Sequence, residues 1–441
     1  MNKSNQMFLL NRIIFLFHIG GIFLREFFTY CITDNYYTTI NISRLAHRLA
    51  KANILYVKVF QSIALNFGWI DNDTYNSLLH FTDNVPWLQE EIDKATLLQI
   101  AESQHLIFPD GIYPMNSGMI SLVFKAVNQE NNPIVIKIKR IDIERRLHEA
   151  IENLLFLVNC IAYIPVVRDS KISEIIYKNI DVIRFQTNFV EEVQNMITIQ
   201  QNCIHLKYIQ IPHVYQHVTN DYPNAIMMDY LSGDTICDVD EADYEEFAKL
   251  FYKFTLITVF VHGFAHGDLH CGNVLFIKDA STNEYKLGVL DFGIVYKIDP
   301  KFKETLFDIA LEMFKLPPVE LAEKALLSGI FEPVEVLKNL TREEYDKMIR
   351  FGAEIIQDVL HDKEKTKQVQ FYLIITKLYS YMSQNNMLKL GIRPGDEFIK
   401  VEMLLGMAHG VTMTLCDNHL AMTNQIINEL FNMDIINDYE E

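Results

Sequence analysis

The chain is poor in cysteine, poor in positive charge, and has no clean apolar run of membrane-spanning length. Its six cysteines, Cys31, Cys160, Cys203, Cys237, Cys271 and Cys416, are scattered over 441 residues with no C-x-x-C pair. That argues against a disulfide framework, excludes a zinc ribbon and points to a reducing, intracellular compartment. Thirty-nine Lys and Arg stand against 57 Asp and Glu, a formal net charge of −18. A nucleic-acid binder needs a basic surface, so nucleic acid is not an expected partner, and any phosphate site must be a local cationic island. The apolar stretch 7–32 is interrupted by Arg12, His18, Arg25 and Glu26. Its cleanest run, 13–24, falls short of the ~20 residues of a spanning helix. No small-residue cleavage site follows, so a secreted protein is not expected. The segment reads as an interfacial or core-packed helix, and residues 1–35 as the candidate contact with a membrane surface or lipid. No other segment looks transmembrane. Repeats, low-complexity linkers, a G-x-G-x-x-G loop and an A-P-E segment are also lacking.

Nearly half of the residues, 49%, are hydrophobic, enough for two or three lobes with cores of their own. Residues 41–105 carry apolar residues at helical spacing. From about 106 the period changes. SLVFKAV (121–127) and PIVIKIKR (133–140), separated by NQENN, predict a β-hairpin. Helices are expected over DIERRLHEAIENLLFLVNCIAYI and QTNFVEEVQNMITIQQN, then short strands at IPHVYQHV and NAIMMDYL. From 231 the chain reads as helical to its end, apart from one β interlude at 274–290. The expected organisation is a helical N-terminal extension (1–105), a β-rich lobe (106–230) with inserted helices at about 141–185, and a mostly helical lobe (231–441).

The interlude carries the chemistry. VLFIK (274–278) and KLGVL (286–290) are joined by the turn-rich DASTNEY. Antiparallel pairing brings Asn273, before the first strand, next to Asp291, after the second, across eighteen positions of sequence. Two hard oxygen donors so placed suit Mg²⁺, which takes one or two protein ligands plus phosphate oxygens and water. Asp268, in the loop of HGDLHCGN (266–273), can face a substrate hydroxyl or water. The pattern H-x-D-x-x-x-x-N with D-F-G is that of kinase-like phosphotransferases using ATP and Mg²⁺. His266 alone reads as a structural hydrogen-bonder. H-x-D-x-H with Cys271 also allows a hydrolase-type metal cluster, which leaves Asn273 and Asp291 unexplained. In the β-rich lobe, V-I-K resembles V-A-I-K and selects Lys137 for the phosphates. Lys139, on the same face of the strand, reads as a solvent-edge residue. Asn116, Ser117 and Gly118 precede the hairpin where a phosphate-covering loop belongs, Gly118 permitting a close approach or a positive φ. Glu191 and Glu192 are the candidate acids for Lys137, Glu192 at the unusual distance of fifty-five residues.

That spacing carries a resemblance. The chain resembles the UbiB (AarF domain-containing) family of atypical protein-kinase-like proteins, linked to ubiquinone biosynthesis, over roughly residues 40–420. The family loop H-A-D-P-H-P-G-N corresponds to HGDLHCGN, and its glutamate helix to NFVEEVQN, with Glu192 and Asn195 at the matching places. Its hinge corresponds to MMDYLSG, with Met228 and Asp229 at the adenine. Its K-x-G-Q element corresponds to Lys58 and Gln61, followed by the Val-Pro of DNVPW. The resemblance implies an α+β, bilobal protein-kinase-like fold, and an ATP- and Mg²⁺-using ATPase or kinase acting near lipids. Its extension folds over the active site. Departures are specific. Asn116, Ser117 and Gly118 replace the family's alanines, moving the loop toward a flexible polar cover. Gln186 and Asn188 replace its acids, and Phe60 its glycine. No protein-docking segment follows Asp291, so water or a small or lipidic molecule is the expected acceptor. A small-molecule kinase of the aminoglycoside or choline type, which shares H-G-D-x-H-x-x-N, and a non-catalytic nucleotide-binding scaffold at a membrane stand as alternatives.

Overall fold

The computed structural model describes residues 3–32, 44–49, 52–53, 55–56, 85–161, 180, 184, 186–312, 315–360, 381, 391–416, 422, 425–426 and 429–430. Lys58, Phe60 and Gln61 lie outside the described residues. The chain divides into two compact units, one of Met1–Val193 with His213–Tyr230, the other of Gln194–Pro212 with Leu231–Glu441.

The first unit is built on a four-stranded antiparallel sheet in the order β1-β2-β3-β5, formed by β1 (Asn116–Ser117), β2 (Ser121–Val127), β3 (Pro133–Lys139) and β5 (Ala225–Asp229). The hairpin turn is set by Asn128, whose Oδ1 accepts the N–H groups of Glu130 and Asn132, and by Asn131 in the left-handed region at φ 63°. Alternation along the strands sends Leu122, Phe124, Ala126, Ile134, Ile136 and Ile138 to one face. There they pack with Leu97 and Ile100 of α2 (Lys94–Ser103), which Asp93 caps by accepting the Thr96 N–H. Helix α1 (Lys3–Ile32) buries Phe15, Ile19 and Ile22 and leaves Ile14, Phe17, Leu24 and Phe28 exposed. Its Arg12 pairs with Glu152 of α3 (Ile143–Ile161), and its Glu26 with Arg44 and Arg48. The start of α4 (Phe189–Asn202) also belongs to this unit.

IPHVYQHV is not a strand: Gln216–Asp221 forms the short helix α5, and only Val214 makes a bridge, to Met228. The apolar residues at 211, 214 and 218 match strand alternation poorly, and Val218 turns inward as part of the core under β5.

In the second unit, α6 (Tyr244–Leu256) buries Phe247, Phe251 and Phe254 and packs against α11 (Asp396–Leu415). Among the described residues α11 is a helix long and apolar enough to cross a membrane, with mean hydropathy 1.2, which corrects the expectation that no segment outside 7–32 looks transmembrane. Val401, Leu404, Ala408, Val411 and Leu415 recur at helical spacing along its buried side, as in a core helix. Beyond α6 the chain widens into a π-turn, Ile257–His262, that ends at Gly263 with φ 64°. A β-carbon there would lie 2.9 Å from the Lys303 side chain. Two small sheets come next. β7 (Val274–Lys278) and β8 (Tyr285–Val289) pair antiparallel, and β4 (Ile209–Gln210) joins β8 in parallel. β6 (Phe264–His266) pairs with β9 (Val295–Lys297). The remaining elements are α7 (Pro300–Glu312), α8 (Pro318–Leu326), β10 (Phe331–Glu332), α9 (Val334–Lys338), α10 (Arg342–Leu360) and β11 (Arg393–Pro394). The expectation of helix from 231 to the end, outside 274–290, is therefore corrected. The pairs β6–β9 and β10–β11 are two or three residues long, too short to show an alternation.

His262, on the π-turn, has ring nitrogens closed off from solvent, and burial together with the Lys303 charge pushes its pKa down to about 4. The unfolded chain binds a proton near pH 6.5 that the native state refuses until about pH 4. The stability from this group is whole above pH 6.5 and is lost as pH falls through that window. His409 of α11 adds to the same trend, burial pushing its pKa down to about 4. Urea denaturation at pH 7 and pH 5 is expected to show lower stability at pH 5, with a smaller difference in His262→Gln.

Candidate active site

In the first unit, β3 ends with its lysines on the face opposite the apolar core. The Lys137 ammonium lies 2.7 Å from Glu192 Oε1, with the two side chains 10% and 4% exposed. Glu192 occupies the first turn of α4, and Asn188 holds that turn by accepting the Glu191 N–H on its Oδ1. Asn188, where the resembled family has an acid, is thus a helix cap. Glu191 is exposed, so Glu192 is the partner of Lys137. Phe189 supplies a ring below both lysines, 5.4 Å from the Lys137 ammonium and 5.5 Å from that of Lys139. Lys139 is not a solvent-edge residue. Its side chain is mostly covered and its ammonium meets Glu144 at 2.8 Å.

Asn116 and Ser117 form β1 against Val123 and Leu122. Ser117 is buried, its Oγ donating to Val85 O at 2.6 Å while its carbonyl accepts the Val85 N–H at 2.9 Å. Gly118 donates to Ser121 O at 2.9 Å, is not in the left-handed region, and has nothing closer than 3.8 Å to a notional β-carbon. The flexible polar cover expected here is instead a segment pinned on both sides, and Gly118 serves neither a positive φ nor a tight approach within the chain. Arg140, which no motif in the sequence marks, donates to the Gly118 carbonyl from Nε at 3.0 Å and from Nη2 at 2.7 Å. Met228 and Asp229 end β5, half-buried. Met228 lies opposite Val135, and Asp229 Oδ1 accepts the Tyr215 hydroxyl at 2.9 Å.

In the second unit, the β7–β8 ribbon pairs Val274 with Val289, and the Leu290 N–H donates to the Asn273 carbonyl at 2.9 Å. Asn273 and Asp291 therefore flank one end of the ribbon. Asn273 Nδ2 donates to the Asp268 carbonyl at 2.9 Å, which sets the amide so that Oδ1 is its remaining end. Asp291 stands in the left-handed region, φ 56°, with Oδ1 accepting the Gly293 N–H at 3.1 Å. Asp268 sits in the loop after β6. His270 Nδ1 accepts the Gly272 N–H at 3.0 Å, so Nε2 carries the proton and faces Asp268 Oδ2 at 3.8 Å. The 3.3 Å approach of Asn273 Nδ2 to the same nitrogen is then a contact of two donors, not a bond.

His266 is the tie behind this loop. Its Nδ1 accepts the Asp268 N–H and its Nε2 lies 3.1 Å from Leu290 O, which fixes the neutral tautomer with the proton on Nε2. Burial holds its pKa below the usual histidine range. One imidazole thereby links the residue before Asp291 to the backbone of Asp268. Gly267 is required beside it, since a β-carbon would lie 2.6 Å from Ile294 Cγ2 and 2.9 Å from the Tyr296 ring. Asn195 of α4 donates to the Phe292 carbonyl at 3.1 Å. Gly267 is visible in HGDLHCGN, but its close packing on Tyr296 is not legible in the sequence, because the short β6–β9 pair that brings them together leaves no periodicity.

The donor chemistry fits Mg²⁺: a carboxylate, a carboxamide oxygen whose amine end is already committed, and room in the coordination shell for phosphate and water. Among the described residues no group of three His, Cys, Asp or Glu side chains converges as a metal cage would, so the hydrolase-type cluster has no set of ligands there. The Lys137–Glu192 pair is a deeply buried charge contact, and removing one partner takes away the counter-charge that the other meets at 2.7 Å. Glu192→Gln is expected to cost on the order of 3 kcal/mol of stability, and Lys137→Met with Glu192→Gln less than the sum of the single changes. Equilibrium denaturation of the four proteins measures that coupling.

A model of the ABC1 atypical kinase-like domain matches residues 85–324, more than half of the chain. Among curated proteins, the probable serine/threonine-protein kinase abkB of Dictyostelium discoideum is 28% identical over 279 residues, covering 58% of this chain and 41% of that protein. The probable protein kinase UbiB of Tolumonas auensis is 22% identical over 322 residues, covering 71% and 58%. The chain thus spans about half the length of the curated relatives it matches. Among solved structures, the complex of Rv3197 with erythromycin from Mycobacterium tuberculosis aligns over 76% of this chain and 86% of that one, at 16% identity and a TM-score of 0.44. The Rio2 kinase–ADP/Mg²⁺–phosphoaspartate complex from Chaetomium thermophilum aligns over 48% and 56%, at 15% identity and a TM-score of 0.27. With a kinase-like α+β fold and a family model over most of its described core, the chain belongs to the ABC1 atypical kinase-like (UbiB/AarF) family.

Proposed function

We propose that the protein is a Mg-ATP-dependent ATPase or phosphotransferase of UbiB type, whose acceptor is water or a small or lipidic molecule. The carrying observation is the ribbon end, where backbone pairing sets Asn273 beside Asp291 and the Asp268 carbonyl fixes the Asn273 amide. When bound, Mg-ATP supplies the transferable phosphoryl group and the divalent charge. Asn273 and Asp291 would hold the ion. Lys137, oriented by Glu192, would bind phosphate oxygens, and Asn116, Ser117 and Gly118 would cover them. Met228 and Asp229 would meet the base. Lys58 and Gln61, outside the described residues, keep the nucleotide-facing role that the family resemblance implies. Asp268 would orient the nucleophile and take its proton, with the His270 Nε2–H on one side of its carboxylate. Catalysis of this kind is positioning and charge neutralisation, for which these residues suffice.

A non-protein acceptor is favoured by the short run of chain after Asp291. It forms β9 at Val295–Lys297 and enters α7 at Pro300, leaving little segment to dock a peptide. A lipidic acceptor also fits the link of UbiB-like proteins with ubiquinone biosynthesis. The outward side of α1, with Phe17 78% and Leu24 58% exposed, is the surface through which the protein would meet a bilayer.

Thermal shift with Mg²⁺ and ATP, ADP or GTP, followed by phosphate release, tests the activity. Asp291→Asn is expected to abolish Mg-ATP binding. Asp268→Asn is expected to keep binding and lower turnover by at least about a hundredfold. Turnover untouched by both changes refutes the enzyme reading. In liposome flotation, the Phe17→Glu/Leu24→Glu protein is expected to stay at the bottom of the gradient while the native chain floats; equal recovery removes the membrane role.

A further inference from the structure

We propose that Arg140 is a positioning residue for nucleotide binding, a buried strut that locks the segment Asn116–Gly118 onto residues 85–91. The proposal rests on the reading that Asn116–Gly118 cover the nucleotide phosphates. Arg140 follows directly on β3, three residues after Lys137, and is 4% exposed. A buried guanidinium is costly unless its donors are matched, and here all five N–H are matched. Nε and Nη2 both reach the Gly118 carbonyl. Nη2 also reaches Val85 O at 3.2 Å. Nη1 reaches Pro86 O at 3.1 Å and Glu91 Oε2 at 2.6 Å. The Arg140 backbone N–H closes on Ile120 O at 2.9 Å.

Glu91 is the counter-charge and is itself overdetermined. Its Oε1 meets Arg146, its Oε2 accepts the Leu88 N–H at 3.0 Å, and its carbonyl accepts the Ile141 N–H at 2.9 Å. Burial works to raise its pKa, but the Leu88 N–H and the two guanidiniums outweigh it and hold the carboxyl below the usual range. The Ser117–Val85 pair of bonds adds a second seam to the same contact. An ordinary phosphate loop obtains its shape from glycines that can fold over the ligand. This one has a single glycine, and that glycine's carbonyl is turned into the protein by a cation. Its carbonyl oxygen is thereby kept away from the phosphates, where a lone pair would repel them, and the backbone between Asn116 and Ser121 is set before any ligand arrives. Pre-setting a loop lowers the ordering cost of binding. The expected kinetic signature is a change in nucleotide affinity with kcat preserved.

Arg140→Lys tests this in the full-length chain, because lysine keeps the charge for Glu91 and loses the fork on Gly118. Losing two charge-assisted bonds to one carbonyl is expected to weaken the binding of a fluorescent ATP analogue with Mg²⁺ by about tenfold or more, with kcat at saturation close to that of the native protein. Amide exchange at Val85 and Gly118 is expected to accelerate. Arg146→Lys, a part-exposed residue that meets Glu91 at Oε1, away from the Oε2 that pairs with Arg140, and keeps its charge, is expected to leave both readouts unchanged. Should Arg140→Lys fail to fold, Ser117→Ala removes one seam bond and is expected to move exchange at Val85 and nucleotide affinity in the same direction. Native affinity and native exchange in a folded Arg140→Lys, or in Ser117→Ala, overturn the proposal. A native protein that takes up no Mg-nucleotide refutes the proposed function instead, while the exchange measurement still decides whether Arg140 sets the loop.

Discussion

A lysine ammonium buried against a carboxylate is the constraint on which the first unit depends. Removing a charge from water costs several kcal/mol, more than the about 1.5–3 kcal/mol gained by burying one large apolar side chain. Lys137 can stand on a strand whose other face is packed with Ile136 and Ile138 because Glu192 meets it at 2.7 Å and the Phe189 ring lies beside it. The start of α4 is therefore tied to β3 by electrostatics as well as by the burial of Phe189 and Val193. The long connection between the two residues, which contains α3, is tolerated because closing a longer loop adds little entropy once the ends are held.

In the second unit, the loop of Asp268 relies on a neutral group where the start of α4 relies on charge. His266 serves as donor on one edge and acceptor on the other, and it can do both only while uncharged. Protonation would turn its Nδ1 toward the Asp268 N–H as a second donor. Burial, which keeps the ring neutral, is thus part of how the loop holds its shape, and the buried Phe292 ring 5.3 Å away helps to exclude water.

Much of the candidate site is legible in the sequence because its parts announce themselves locally. Apolar alternation around NQENN and DASTNEY defines two hairpins, and the second of them implies the approach of Asn273 to Asp291. The choice of Lys137 needs only the strand and the V-I-K pattern, and the choice of Glu192 a helix. The hidden parts depend on tertiary partners. Arg140 looks like a surface cation until Val85, Pro86 and Glu91 surround it. Lys139 reads as solvent-exposed because nothing local shows that Phe189 lies under it. IPHVYQHV passes for strand because the helix that begins at its Gln216 is short and its buried Val218 is recruited by β5. The short pairs β6–β9 and β10–β11 give no period to read. Lys58 and Gln61 lie outside the described residues and remain part of the family resemblance.

The left-handed backbone at Asp291 has an evolutionary corollary. Aspartate, asparagine and glycine enter that conformation at little expense, whereas alanine and above all β-branched residues resist it. Mutational drift at this position is therefore channelled: a lineage that gives up the carboxylate would pass through asparagine or glycine, keeping its backbone while losing its charge. A descendant with valine or isoleucine there would have had to rebuild the turn first.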